Sequence, residues 1–113
     1  MKLSIVIPLF NEEESLIELN SKIKKVVSKM NINYEVIYID DGSTDESWTT
    51  IKNLSEDFSN LKAIKFLKNF GKSQALSAGF KVAKGEVVIT MDADLQDDPF
   101  EIPALFNKIY KDN

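Results

Sequence analysis

The chain has 113 residues, 43% hydrophobic and 28% charged, which is enough for one globular domain with a real core. Its net charge of −4 comes from 18 acidic residues against 14 scattered lysines with no arginine, which argues against a nucleic acid held on a basic face. Cysteine and histidine are absent, so disulfides, thiolate metal sites, imidazole bases and the usual zinc sites are excluded.

Leu3 to Phe10 is apolar but short, contains Pro8 and lacks a following small-residue cleavage site, so it reads as a first strand and not a signal peptide. No stretch is long enough to span a bilayer, and the expected compartment is the cytoplasm, with contact at the cytoplasmic face of a membrane left open. Asn11 with Glu14 three residues on predicts a capped helix start, and Leu16, Leu19, Ile23, Val27 and Met30 follow at helical spacing. Lys22, Lys24, Lys25 and Lys29 crowd the later turns, as the helix dipole prefers, and read as a solvated face.

Tyr34 to Ile39 is a second strand ending in Asp40-Asp41-Gly42-Ser43. Ser43 with Glu46 repeats the capping pattern, and Trp48, Ile51, Leu54 and Phe58 mark the buried stripe of a second helix, with Trp48 read as core. Leu61 to Leu67 is a third strand. Asn69 to Ser73 is a turn with Lys72 on its surface, leading into a third helix, Gln74 to Ala83, whose small residues let it lie close to a sheet. Val87 to Met91 reads as a buried fourth strand, since it lacks polar alternation and is too short for a helix. Asp98-Pro99 then opens a last helix with Ile102, Leu105, Phe106 and Ile109 on its apolar face.

This β-α-β-α-β-α-β-α order predicts an α/β fold, a mostly parallel sheet with helices on both faces. Three polar clusters, Pro8 to Glu12, Asp40 to Ser43 and Asp92 to Asp98, then fall along one edge of that sheet, where open α/β sheets bind ligands. Carboxylates accept well from ribose hydroxyls and a base N–H but hold phosphates only through a cation. There is no Walker loop and no Gly-x-Gly-x-x-Gly to cradle phosphate on backbone N–H groups. A diphosphate here would therefore be held by a hard divalent cation, Mg²⁺ or Mn²⁺, on Asp94 and Gln96. Asp-x-Asp alone is a weak signal; its place directly after a buried strand is what strengthens it. Asp97 and Asp98 read mainly as capping residues, and Glu12 is divided between helix start and ligand contact.

Ser4 to Glu12, Asp40 to Asp45 and Met91 to Asp94 together resemble the family 2 inverting glycosyltransferases with the Rossmann-like GT-A nucleotide-diphospho-sugar transferase fold. Asn69-Phe70-Gly71-Lys72 and Asp94 to Pro99 look like the branch with dolichyl-phosphate mannose synthase and the bacterial polyprenyl-phosphate glycosyltransferases. By that resemblance Pro8, Phe10 and Glu12 border the base and ribose, and Ile39 and Asp41 contact the base. Asp92, Ala93 and Asp94 line the ribose and diphosphate, with Asp94 and Gln96 on the metal. Phe10 stands where relatives often have tyrosine, so a hydroxyl contact is lost there. The resemblance implies transfer from a UDP- or GDP-sugar, with inversion, to a polyprenyl phosphate or glycan acceptor in cell-envelope glycan synthesis. In the family the acceptor-side and catalytic residues lie further along than Asn113. Residues 1–113 are thus expected to be the N-terminal, donor-binding part of a GT-A domain, inactive alone, with uncovered strand edges that favour a homo-oligomer.

A truncated, non-catalytic nucleotide-binding or interaction module on the same fold is the main alternative. A haloacid-dehalogenase-type phosphatase would carry its Asp-x-Asp after the first strand, not the fourth. A receiver-like signalling domain would need an acid ending the third strand, where this chain has Leu67-Lys68-Asn69.

Overall fold

Alternation along two central strands decides the architecture. In β1 (Leu3–Leu9) the residues Leu3, Ile5, Ile7 and Leu9 point to one face and Val6 to the other; in β2 (Tyr34–Asp40), Tyr34, Val36 and Tyr38 join the first face and Ile37 and Ile39 the second. The computed structural model describes residues 1–112. The remaining elements are α1 (Leu16–Ser28), α2 (Ser47–Glu56), β3 (Leu61–Lys65), α3 (Lys72–Val82), β4 (Val87–Thr90), a 3₁₀ turn at Pro99–Glu101 and α4 (Ile102–Asp112). The sheet runs β3-β2-β1-β4 and every pairing is parallel.

Helices cover both faces. α1, α2 and α4 bury Leu16, Leu19, Ile23, Val27, Ile51, Ile102 and Phe106 against the larger apolar cluster. α3 lies on the opposite face, where Ala75 meets Val6, Ile37 and Ile39. Its close approach depends on Gly79, where a Cβ would stand 2.5 Å from Val6 Cγ1. Trp48 is partly buried against the larger cluster, with the Lys65 ammonium 5.7 Å from its ring centroid.

Five local expectations shift, the first being β4, which ends at Thr90 and alternates buried Val87 and Ile89 with exposed Val88 and Thr90 instead of being buried throughout. α1 starts at Leu16 and not near Asn11, because Asn11 adopts φ 53° and spends its side chain on the loop after β2. Ser43 does not cap α2: its hydroxyl accepts from the Asn11 N–H, while Asp45 Oδ1 accepts from the Ser47 N–H at the helix start. β3 ends at Lys65, since the Phe66 N–H to Asp40 carbonyl bond is the last one to β2, and Leu67 turns out to 94% exposure. α3 begins two residues before Gln74, directly after Gly71.

At the opposite end of the sheet from the polar loops, Glu35 is 1% exposed. It accepts from the Ser4 hydroxyl at 2.5 Å, the Lys84 N–H at 2.7 Å and the Lys62 ammonium at 2.6 Å. Burial pushes its carboxyl up, but the bonds from Lys62, Ser4 and Lys84 outweigh that and hold it below the ordinary glutamate value. A carboxyl lowered in the folded state contributes stability above its unfolded value of about 4.5 and loses it as pH falls through the folded value. Glu35→Gln is expected to cost about 2 kcal/mol at neutral pH. In urea titrations from pH 7 to pH 3 the variant's acid limb should be flatter than that of the wild type; parallel limbs would show that Glu35 does not carry it.

Candidate functional site

The strand register assembles the site. Leu9 pairs with Asp40, so the loops after β1 and β2 leave the sheet side by side. β4 pairs only up to Val6↔Thr90, and the bond from the Met91 N–H to the Val6 carbonyl then carries Asp92 and Ala93 up beside Pro8 and Leu9. The result is a cleft of about 230 Å³ lined by Pro8, Leu9, Phe10, Glu12, Asp41, Lys72, Asp92, Ala93 and Asp94. Its charge comes from four carboxylates facing one ammonium among the described residues.

Each wall is fixed by bonds between loops. The Asn11 side-chain oxygen accepts from the Thr44 N–H at 2.8 Å and the Asp45 N–H at 3.2 Å, and the Glu12 N–H donates to the Ser47 hydroxyl at 2.9 Å. Burial pushes the Asp45 carboxyl up, but bonds from the Ser47 side chain and from the Ser47 and Glu13 N–H groups outweigh it and hold the carboxyl below the ordinary aspartate value. The Ser15 hydroxyl donates to the Ala93 carbonyl at 2.7 Å, tying the start of α1 to the acidic loop. Within that loop Leu95 has φ 68°, Asp94 Oδ1 accepts from the Gln96 N–H, Asp97 Oδ2 from the Asp92 N–H, and Asp98 Oδ1 from the Phe100 N–H. Asp98 caps the turn at Pro99–Glu101 as expected, whereas Asp97 caps no helix and instead closes the loop back onto the Asp92 N–H.

Asp41 is 5% exposed and receives the Phe70 N–H at 2.8 Å, the Gly71 N–H at 3.0 Å and the Asn69 side-chain amide at 3.2 Å. Three donors on about four lone-pair positions leave one for a ligand. The carboxylate therefore clamps the loop after β3 as well as lining the cleft. Asp41→Asn would turn an NH₂ towards these N–H groups and is expected to cost about 2 kcal/mol, lowering the melting midpoint by roughly 10 °C. An unchanged melting curve would show that the clamp is dispensable.

The structure brings Pro8, Phe10, Glu12, Asp41, Asp92, Ala93 and Asp94 to one cleft. Ile39 is not part of its lining: it is fully buried, and a Cβ on Gly79 would stand 2.8 Å from its Cδ1. Alternation explains this, since Ile39 faces α3 while Asp40 faces the other way. Gln96 is exposed in the turn beyond Asp94, outside the cleft's lining. Lys72, read from sequence as a surface residue, is in the cleft, with its ammonium 2.7 Å from Asp92 Oδ1. Its partner is 20 residues away, and the only sequence cue was a lysine placed just after a glycine at a strand-to-helix turn. The bond to Asp92 raises the Lys72 value above that of an ordinary lysine. Among the described residues there is no group of three or more carboxylates arranged to hold a metal, and no helix is long and apolar enough to cross a membrane.

The family model described as glycosyl transferase family 2 matches residues 4–113. The undecaprenyl-phosphate 4-deoxy-4-formamido-L-arabinose transferase of Pseudomonas fluorescens (strain SBW25) is 46% identical over 103 residues, which are 90% of this chain and 30% of that protein. Among solved structures, S. aureus TarS 1-349 in complex with UDP-GlcNAc superposes with a TM-score of 0.69 at 30% identity, over 83% of this chain and 27% of its own. The mannosyltransferase of Pyrobaculum calidifontis in complex with GDP-Man and Mn²⁺ shares the fold, with a TM-score of 0.73 at 24% identity, over 82% of this chain and 27% of its own. The chain spans about a third of the length of the curated relatives it matches.

Proposed function

The chain belongs to glycosyl transferase family 2, and from that premise we propose that it forms the donor half-site of a metal-dependent, inverting transferase, moving a sugar from a nucleoside diphosphate to a polyprenyl phosphate in cell-envelope glycan synthesis. The observation that carries this reading is the convergence of Pro8, Phe10, Glu12, Asp41, Asp92, Ala93 and Asp94 on one cleft at the carboxyl ends of β1, β2 and β4. At about 230 Å³ the cleft is smaller than the ~300–1,000 Å³ of complete ligand pockets. That suits half of a site, in a chain covering a third of its relatives' length. The relatives named for an undecaprenyl-phosphate acceptor support the lipid-phosphate choice, and contact of the longer protein with a membrane would follow from such an acceptor.

Each lining residue has a task that its chemistry allows. Pro8 and the half-exposed Phe10 offer apolar surface to a base. The remaining lone pair of Asp41 accepts from a base N–H, and Glu12 accepts from a ribose hydroxyl. Asp92 and Ala93 flank the ribose and diphosphate. Asp94 is exposed, with one oxygen engaged by the Gln96 N–H, so its second oxygen and the Gln96 amide would hold a Mg²⁺ or Mn²⁺ ion. One carboxylate and a neutral oxygen fit such an ion when substrate phosphates supply further ligands. When bound, the cation neutralises charge on the departing nucleoside diphosphate. A lipid phosphate oxygen is already anionic and needs little deprotonation, so this half of the site requires no base.

Calorimetric titration of UDP and GDP, with Mn²⁺ and with chelator, tests this reading. Metal-dependent binding of one nucleotide is expected, with UDP the first choice. Absence of binding, both to this chain and to a longer form containing it, would overturn the donor reading. Nucleotide binding by the longer form without sugar transfer to a polyprenyl phosphate would favour a non-catalytic module.

A further inference from the structure

Lys72 provides the positive charge of an otherwise acidic cleft among the described lining residues. Gly71 directs it there: with φ 105° and an N–H bonded to Asp41, it fixes where α3 begins, and Lys72 is the helix's first residue. Its ammonium meets Asp92 Oδ1 at 2.7 Å, and the two side chains are 62% and 43% exposed. An ion pair in such a setting is weak and exchanges readily. On the other side of the same loop, Asp94 Oδ1 is held by the Gln96 N–H at 3.1 Å.

Resting on the donor reading above, we propose that Lys72 is an internal counter-ion to Asp92, so that a divalent cation is held together with a nucleoside diphosphate and not by the cleft alone. With Asp92 engaged, Asp94 is the acid of this loop left in the cleft to attract a dication, and an ammonium lines the same cleft. A magnesium-sized ion wants about six oxygens and dehydrates reluctantly, so this donor set is poor by itself. A diphosphate changes both conditions. It brings its own oxygens for the cation, and its negative charge gives the lysine another partner. The four-carbon stem and three rotatable donors of Lys72 allow the ammonium to move from Asp92 to phosphate. Asp92 would thereby be free to accept from a ribose hydroxyl or to help hold the cation. Lys72 thus acts through its hold on Asp92 without ligand and on the diphosphate itself when that is bound.

Mn²⁺ alone, without nucleotide, is the direct probe, with free Mn²⁺ read from its paramagnetic resonance signal. Lys72→Gln is expected to bind Mn²⁺ about tenfold more tightly than the wild type, the order of effect of removing a like unit charge from the surroundings of a dication in a watery cleft. Lys72→Arg should behave like the wild type. In the Lys72→Gln/Asp92→Asn pair the gain should vanish, because no carboxylate is freed. In the presence of UDP the order should reverse, with Lys72→Gln binding Mn²⁺·UDP more weakly than the wild type. Mn²⁺ affinity in Lys72→Gln that is undetectable, unchanged or lower overturns the counter-ion role, as does a gain that persists with Asp92→Asn. The wild-type Mn²⁺·UDP titration reports on the donor reading and the Mn²⁺-only titrations on Lys72, so either can fail alone. Lys72 is exposed, and equal melting curves for wild type and variant serve as the folding control.

Discussion

Gly42→Ala is expected to destabilise the chain by about 4 kcal/mol, the sum of a left-handed backbone strain of about 1–2 kcal/mol and an overpacking cost of about 1–3 kcal/mol. Gly42 has φ 76°, and a Cβ there would lie 2.3 Å from the Lys68 carbonyl carbon and 2.4 Å from the Asn69 nitrogen. These are backbone atoms, so no side-chain rotation relieves the contact. The same turn places Asp41 against the Phe70 and Gly71 N–H groups. Pushing Lys68 and Asn69 away would open that clamp and displace Lys72. Measured by urea denaturation, a loss of this size consumes much of a small domain's stability of about 5–15 kcal/mol. A loss under about 1 kcal/mol would show that the loop after β3 yields freely and that its tie to Asp41 is not structural.

Asp94→Ala should abolish the metal dependence of nucleotide binding, weakening Mn²⁺·UDP at least about hundredfold, or roughly 2.7 kcal/mol. Metal-free UDP, being weak already, should change little. The effect on folding is small by comparison, because the bond lost within the chain is the one at 3.1 Å from the exposed Gln96 N–H. Asp97→Ala and Asp98→Ala supply the contrast. Their carboxylates accept from Asp92 N–H and Phe100 N–H, so they should lower stability by about 1 kcal/mol each. If Asp97→Ala were to remove metal dependence while Asp94→Ala kept it, the ligand assignment within the loop would be wrong.

How much of this was legible in the sequence depends on the range of the interaction. Apolar runs ending in acids gave the strand ends, and parallel order put those ends on one edge; both follow from local pattern and chain connectivity. The small residues of α3 announced its close approach, which Gly79 makes against Val6 and Ile39. Asn11 shows where local reading stops. Asparagine suits both a helix N-cap and a left-handed turn, and the choice fell to partners more than 30 residues away, Thr44 and Asp45. The resemblance points Ile39 at a ligand, whereas strand alternation places its side chain under α3. Lys72 reads as a surface lysine, which its exposure bears out, but its pairing with Asp92 on another element has no local signal. Leu67 looked like strand because it is apolar, but pairing with β2 had already ended at Phe66.

The most direct measurement is an amide NMR map of the chain with UDP and substoichiometric Mn²⁺. If the cleft between β1, β2 and β4 holds a metal-bridged nucleoside diphosphate, paramagnetic broadening should centre on the amides of residues 92–96. UDP-induced shifts should extend to residues 8–12 and 41, and both should fade in Asp94→Ala. The competing acidic hollow is lined by Asn11, Glu12, Glu13, Glu14, Ser15 and Asp45. Broadening centred on Glu13, Glu14 and Asp45, with residues 92–96 untouched, would contradict the donor site described here.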